Sequence, residues 1–314
     1  MLEPVRKTSA ALASLSLAVL ALTGCSSTPS FDGASCDRSG SASSTLADAV
    51  SVSGELGTAP DVDVYAPVAS SKTQFADVIV GDGLALENPY QVVMLDLSMY
   101  SGDTGEKVYA SQYSGETGNL SNISIWAQQI PGLGSVLQCA TGGSRVVASI
   151  APEDAGDALA QLGLAADDNL VVVVDVEQTF LPRAQGALQF NDARGMPTVV
   201  RAPDGAPGVI IPGSAAPSKQ VVQTLIEGDG EKLSESSTPI LNVTAVGWDD
   251  KNVINTTWGA NPSLDLSSTA PDVAKALIGK PVGSQVLVVT PAADGASATV
   301  YVVDILGAVT TPAQ

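Results

Sequence analysis

The chemistry open to this chain is narrowed first by a residue it lacks, since none of its 314 residues is histidine. Ser-His-Asp and Cys-His nucleophiles, imidazole acid–base work and histidine-ligated zinc are therefore excluded. Proton transfer would fall to carboxylates, tyrosine or lysine, and a reaction that moves no proton would need none of them. No metal and no cofactor is expected. Cysteine occurs at Cys25, Cys36 and Cys139 only. The net charge of −19 weighs against nucleic acid and anionic membrane surfaces as direct partners. Trp126 and Trp258 read either as the rim of a pocket or as packing. Asn119, Asn122, Asn242 and Asn255 each open an Asn-x-Ser/Thr triplet and read as surface polar residues.

The elements that must position any site are stated twice along the chain. Pro131-Gly132-Leu133, Val136-Leu137 and Gly143-Ser144-Arg145-Val146-Val147 recur as Pro271-Asp272-Val273, Ala276-Leu277 and Gly283-Ser284-Gln285-Val286-Leu287. Gly81-Asp82-Gly83 precedes one copy and Gly228-Asp229-Gly230 the other. Val173-Val174-Asp175-Val176 and Val302-Val303-Asp304-Ile305 close them. A period near 140 residues is too long for a solenoid and implies two tandem domains of one fold. Valine-rich runs bounded by Gly, Pro and Asp predict strands. Leu133, Val136 and Leu137 have the spacing of one helical face, and Val273, Ala276 and Leu277 repeat it. Thr269 is placed to cap the second helix, with Pro271 in its first turn. Each copy therefore reads as an antiparallel sheet curled over a short helix, an α+β fold. The boundaries are 47–183 for the first domain, 184–189 for a linker and 190–309 for the second domain.

The N-terminus reads as an address. Arg6 and Lys7 precede an apolar run, Ala10 to Leu22, that is too short to span a bilayer. The run ends Leu22-Thr23-Gly24-Cys25, which resembles the bacterial lipobox. That resemblance implies a signal peptide at 1–24, lipidation of Cys25, and a Ser- and Gly-rich flexible tether over 25–46. The chain would then sit on the extracytoplasmic face of the cell membrane, held by lipid alone. With Cys25 acylated, two thiols remain outside the membrane. A Cys36–Cys139 disulfide is expected there, the alternative being a buried and inert Cys139.

The string Thr224-Leu225-Ile226-Glu227-Gly228-Asp229-Gly230, with Val253-Ile254-Asn255-Thr256-Thr257-Trp258 and Val282-Gly283-Ser284 after it, resembles an FKBP-type peptidyl-prolyl isomerase domain. The first copy resembles it through Val80-Gly81-Asp82-Gly83, Ile130-Pro131-Gly132-Leu133 and Pro152-Glu153-Asp154-Ala155. With the lipobox, the chain is similar to two-domain lipoprotein isomerases of actinobacteria. The resemblance implies an isomerase that assists the folding of secreted proteins, with proline-containing unfolded or secreted polypeptides as its partners. Its alternative is a catalytically weak or inactive chaperone that keeps the fold.

By the same resemblance the catalytic pocket is formed by Tyr109, Ile130 and Leu133, with Leu133 as its floor. Trp126, Ile254 and Val273 are weaker substrate-binding positions. Ala110 stands where the family has Asp, and Gly156-Asp157 where it has Tyr-Gly. In the second copy Ile254 takes the aromatic's place and Asn255 that of Asp, while Ala270 and Val273 take the pocket and floor positions. That pocket is degenerate, so the first domain is the more plausible catalyst.

Overall fold

In the computed structural model, the described residues are 30–31, 34–36, 44–114, 119–190, 194–293 and 297–310. The signal peptide, Cys25 and most of the tether lie outside them. The chain forms, in order, β1 (Ser30–Phe31), β2 (Ala34–Ser35), α1 (Ser44–Ala49), β3 (Val50–Ser53), β4 (Asp61–Val64), β5 (Gln74–Ile79), β6 (Val93–Ser101), β7 (Lys107–Ala110) and β8 (Leu120–Ser121). Then come α2 (Ile123–Gln129), α3 (Pro131–Leu137), β9 (Ser144–Ile150), α4 (Ala158–Gln161) and β10 (Leu170–Thr179). The remainder is β11 (Ala187–Leu188), β12 (Thr198–Arg201), β13 (Pro207–Ile210), β14 (Val221–Glu227), β15 (Ser237–Gly247), β16 (Val253–Thr256), α5 (Pro271–Leu277), β17 (Gln285–Thr290) and β18 (Thr299–Thr310).

Two six-stranded antiparallel sheets dominate. The first runs β5-β9-β10-β6-β7, with β8 on β6, and the second runs β11-β14-β17-β18-β15-β16. Omitting β8 and β11, the strands follow one another in the same order in both. The registers agree as well: Asp96 lies opposite Asp175 and Asn242 opposite Asp304. Ala187–Leu188 lie within the stretch read as a linker, yet they pair as an edge strand on β14.

The closing strands are buried on both faces, which is why their sequences are unbroken valine runs rather than alternations. On β10, Leu170, Val172, Val174 and Val176 face the helices, while Val171 and Val173 face the β3–β4 hairpin. On β18, Val303 and Ile305 face α5, while Val300 and Val302 face the β12–β13 hairpin. Each sheet is thus sandwiched between a hairpin and a helical layer. Val92, Phe180, Ile240 and Leu306 form a smaller core that joins the two sheets.

The repeated glycine and serine motifs are the lock between strands. The Gly81 N–H donates to Ser144 Oγ at 2.9 Å, and the Gly228 N–H to Ser284 Oγ at 3.0 Å. A Cβ at Gly81 would strike the carbonyl of Gly142, and one at Gly228 the carbonyl of Val282. Gly-Asp-Gly and Gly-Ser recur because two backbones cross there at a distance that admits no side chain.

Three sequence expectations change. Asn122 and Asn242 are buried, not surface residues. The Asn122 Oδ1 accepts the Ile125 N–H and starts α2. The residue capping α5 is Ala270, which makes no side-chain cap bond, rather than Thr269. Residues 155–164, whose sequence also reads as a short helical insert, form within that span only the four-residue α4.

Candidate functional site

The helix-side face of the first sheet ends in an open pocket of about 210 Å³. Its walls come from four elements. Met99 on β6 lies opposite Tyr109 on β7, so both side chains share that face. Trp126 comes from α2 and Ile130 from the junction of α2 and α3. Ala158 and Gln161 from α4, with Leu162 beyond it and Gln129, complete the wall. Tyr109 is 47% exposed and Ile130 3% exposed, so one forms the rim and the other the base.

The junction has a local cause. Pro131 cannot donate a backbone N–H, so the chain breaks before it and starts again, with Ile130 extended between the helices at φ −139° and ψ 89°. The Ile130 N–H donates to the Trp126 carbonyl at 2.7 Å, fixing the two pocket residues to one another. The Trp126 Nε1 is buried and has no hydrogen-bond partner.

Ionisable groups gather on the opposite face of the sheet. Arg145 and Asp175, 1% and 0% exposed, form a two-point ion pair with Nε–Oδ1 at 2.6 Å and Nη2–Oδ2 at 2.7 Å. The same guanidinium donates to the carbonyls of Gly54 and Glu55 in the hairpin turn, at 2.8 and 3.0 Å. Pairing with Asp175 raises the Arg145 pKa. Burial, with the neighbouring Asp96 and Asp175 carboxyls, pushes Glu177 up to about 7. Asp96 Oδ1 accepts from Ser111 Oγ at 2.5 Å and from Asn119 Nδ2 at 3.0 Å. The pocket face is left apolar apart from its rim.

The residues expected to make the site are only partly brought together. Tyr109, Trp126 and Ile130 line the pocket. Leu133 does not: it is fully buried in the main core, one helical turn below. Val273 is buried in the second core in the same way. Ile254 is 61% exposed and lies apart from it. Strand register corrects the match between copies, because Asn255 lies opposite Ala245 as Tyr109 lies opposite Met99. Asn255, not Ile254, is therefore the counterpart of the aromatic. Met99, Ala158 and Leu162 were missed, and only the strand register or the α4 fold could have found them. Cys36 and Cys139 are joined as a disulfide, with Cα atoms 4.9 Å apart. Among the described residues no group of three or more Cys, Asp or Glu side chains could hold a metal ion.

No family model matches the chain, and no curated protein matches it. Solved structures of FKBP proteins are similar to it. The crystal structure of the three FKBP domains of wheat FKBP73 is 14% identical, over 76% of this chain and 94% of that one, with a TM-score of 0.31. FkpA from Escherichia coli is 18% identical over 38% of this chain and 55% of its own, with a TM-score of 0.27. The N-terminal domain of FKBP42 from Arabidopsis thaliana is 16% identical over 39% of this chain and 97% of its own, with a TM-score of 0.29.

Proposed function

We propose that this protein is an FKBP-type peptidyl-prolyl isomerase, with two tandem FKBP-like units, each a six-stranded sheet and its helix. The first unit supplies the catalyst, and the protein assists secreted polypeptides from a lipid anchor on the outer face of the membrane. The observation that carries this reading is the open, apolar pocket between Tyr109, Trp126 and Ile130, with the charged groups on the far side of the sheet.

The reaction makes few demands. Rotation about an Xaa-Pro bond meets a barrier of about 18–20 kcal/mol because amide resonance is lost. No bond is formed and no proton moves, so a chain without histidine can perform it. In the twisted amide the carbonyl is less dipolar, and an apolar wall favours that state over the planar one. Ile130 and Met99 would receive the prolyl ring, and the Trp126 and Tyr109 side chains would exclude water from it. At the matching places the second unit has Ala245, Asn255, Leu266 and Ala270, a smaller and more polar set that suits no such role.

A protease-coupled assay on a Xaa-Pro peptide, run with the full chain, tests the reading. Isomerisation above the uncatalysed rate is expected, falling about tenfold in Trp126→Ala while circular dichroism is unchanged. A rate equal to the uncatalysed one, together with slowed aggregation of an unfolded client, would favour the alternative of a binding chaperone. Ala110, where the family has a carboxylate, is the observation on that side.

A further inference from the structure

We propose that the second unit carries a separate docking groove for a short amphipathic helix of another polypeptide, apolar on one face and basic at its flank. This does not rest on the isomerase reading. A cleft of about 390 Å³ lies between α5 and the start of β15, with Leu233, Leu241, Leu266 and Leu277 as its bed and Pro239 and Ile278 as its walls.

The first unit shows what such a cleft holds. The two frames share backbone hydrogen bonds at matching positions. The Cys139 N–H donates to the Leu86 carbonyl at 3.1 Å, and the Gly279 N–H to the Leu233 carbonyl at 2.8 Å. The Ile130 N–H donates to the Trp126 carbonyl, and the Ala270 N–H to the Leu266 carbonyl, both at 2.7 Å. Within this shared frame the first unit lays α2 along the cleft. The Ser124 N–H is held by the Pro89 carbonyl at 2.9 Å, and Ile123 is buried in the core. Ala127 lies so close to α3 that a Cβ at Gly134 would come within 2.6 Å of it. Cys36, bonded to Cys139, closes the far end.

The second unit has the cleft without the occupant. Leu241, bridged to Ser263, matches Leu95, and continuing the β8 register puts Asn119 opposite Leu95: Asn119 lies eleven positions before Ile130, but Ser263 only seven before Ala270. The shortfall is close to one helical turn of about 3.6 residues. A turn replaces α2 there, and Ala274 takes the place of Gly134 and faces the cleft. Gly279, in the place of Cys139, has open space where a side chain would go. Ile278 is left 46% exposed.

The rim says which flank the helix carries. Glu235 and Asp265 border the cleft, and Lys275 beside them already faces Asp272 at 3.9 Å. The Ser267 N–H and hydroxyl, at 2.6 and 2.7 Å, hold the Asp265 carboxyl below its usual pKa, so it stays charged. On a chain of net charge −19 this rim attracts a cationic end and repels an anionic one.

The probe is a fluorescein-labelled peptide with the sequence of residues 120–130 of this chain followed by two lysines, titrated with the full chain and read by anisotropy. Saturable binding is expected, weakened about tenfold or more both by Ile278→Asp, at an exposed wall, and by Ala274→Phe, which fills the cleft. Replacing the two lysines with glutamates is expected to weaken binding at low salt and to matter less at high salt. Thermal unfolding of each variant identifies one that has lost its fold, and Ile278→Asp then decides. No saturable binding at protein concentrations up to about 1 mM overturns the proposal. So does binding that survives both substitutions, or a concentration-dependent dimer that both abolish, since a second copy would then be the occupant.

Discussion

At the scale of residues, the two units solve one burial problem in different ways. In the first, the buried Asp175 is answered by Arg145 from the neighbouring strand. In the second, the counterpart of Arg145 is Gln285, whose Nε2 donates to Asp304 Oδ1 at 2.7 Å, while the Ala184 N–H donates to Oδ2 at 2.8 Å. The guanidinium has moved to the hairpin: Arg201 on β12 donates to Gln285 Oε1 at 2.8 Å and reaches the carboxylate only through that amide. Burial then pushes Asp304 up to about 6, against the lowering by these donors and by Arg201. The native carboxyl keeps its proton to about pH 6, whereas an unfolded one releases it near 3.8. The native state therefore binds more protons between those values. Its stabilisation is full below 3.8 and lost as the pH rises through 6. The loss is roughly 3 kcal/mol, at about 1.4 kcal/mol per unit. Denaturant unfolding of the second unit should show it, and Asp304→Asn should remove that slope; an unchanged slope would refute the assignment. None of this could be read from the sequence, where Arg145 and Gln285 are merely two polar residues in matching strings. The site was legible to the same limited degree. Tyr109 and Ile130 line one pocket while Leu133 and Val273 lie in the cores, because a motif gives order along the chain and not which face a side chain takes.

At the scale of elements, the strands were the legible part. Valine runs long enough to be buried on both sides have few other places to go, and β9, β10, β17 and β18 are where those runs lie. α2 was not legible. Its sequence, ISIWAQQ, has two β-branched residues and a tryptophan in seven positions, a poor helix former on propensity. Tertiary contacts overrule that: Asn122 caps it, Pro89 holds its first turn and α3 presents a glycine to it. The Gly-Asp-Gly motif was legible as a repeat but not as a structural device. Its role as the crossing point of two backbones predicts that Gly228→Ala costs more than an ordinary surface change. A loss of about 2–4 kcal/mol is expected, since the clash is with a backbone carbonyl that cannot step aside. Ser284→Ala, which removes only the hydroxyl holding Gly228, should cost about 1 kcal/mol. Equal small losses for both in chemical denaturation would show that the crossing is not under constraint.

At the scale of the whole molecule, two sheets of the same strand order differ in what covers them. The first keeps an open pocket at Tyr109, Trp126 and Ile130 and has α2 beside α3, while the second leaves the cleft beside α5 open. The shared strand order of the two sheets was legible because it depends on spacing, and the difference in their coverings was not, because it lies in what packs over them. No helix among the described residues is long and apolar enough to cross a membrane. The anchor proposed at Cys25 is checked by metabolic labelling with an alkynyl fatty acid: label on the wild type and none on Cys25→Ala is expected, and label on both would place the lipid elsewhere. Cys36 then acquires a mechanical meaning. Its bond to Cys139 makes 36 to 139 a closed ring, so tension arriving along the N-terminal arm divides at the cystine and enters just after α3, rather than only peeling β3 from β4. With the proposed anchor at Cys25, a pull on the arm would grip this unit near its middle. A single cut of the chain between Cys36 and Cys139 would leave the two pieces joined by the cystine.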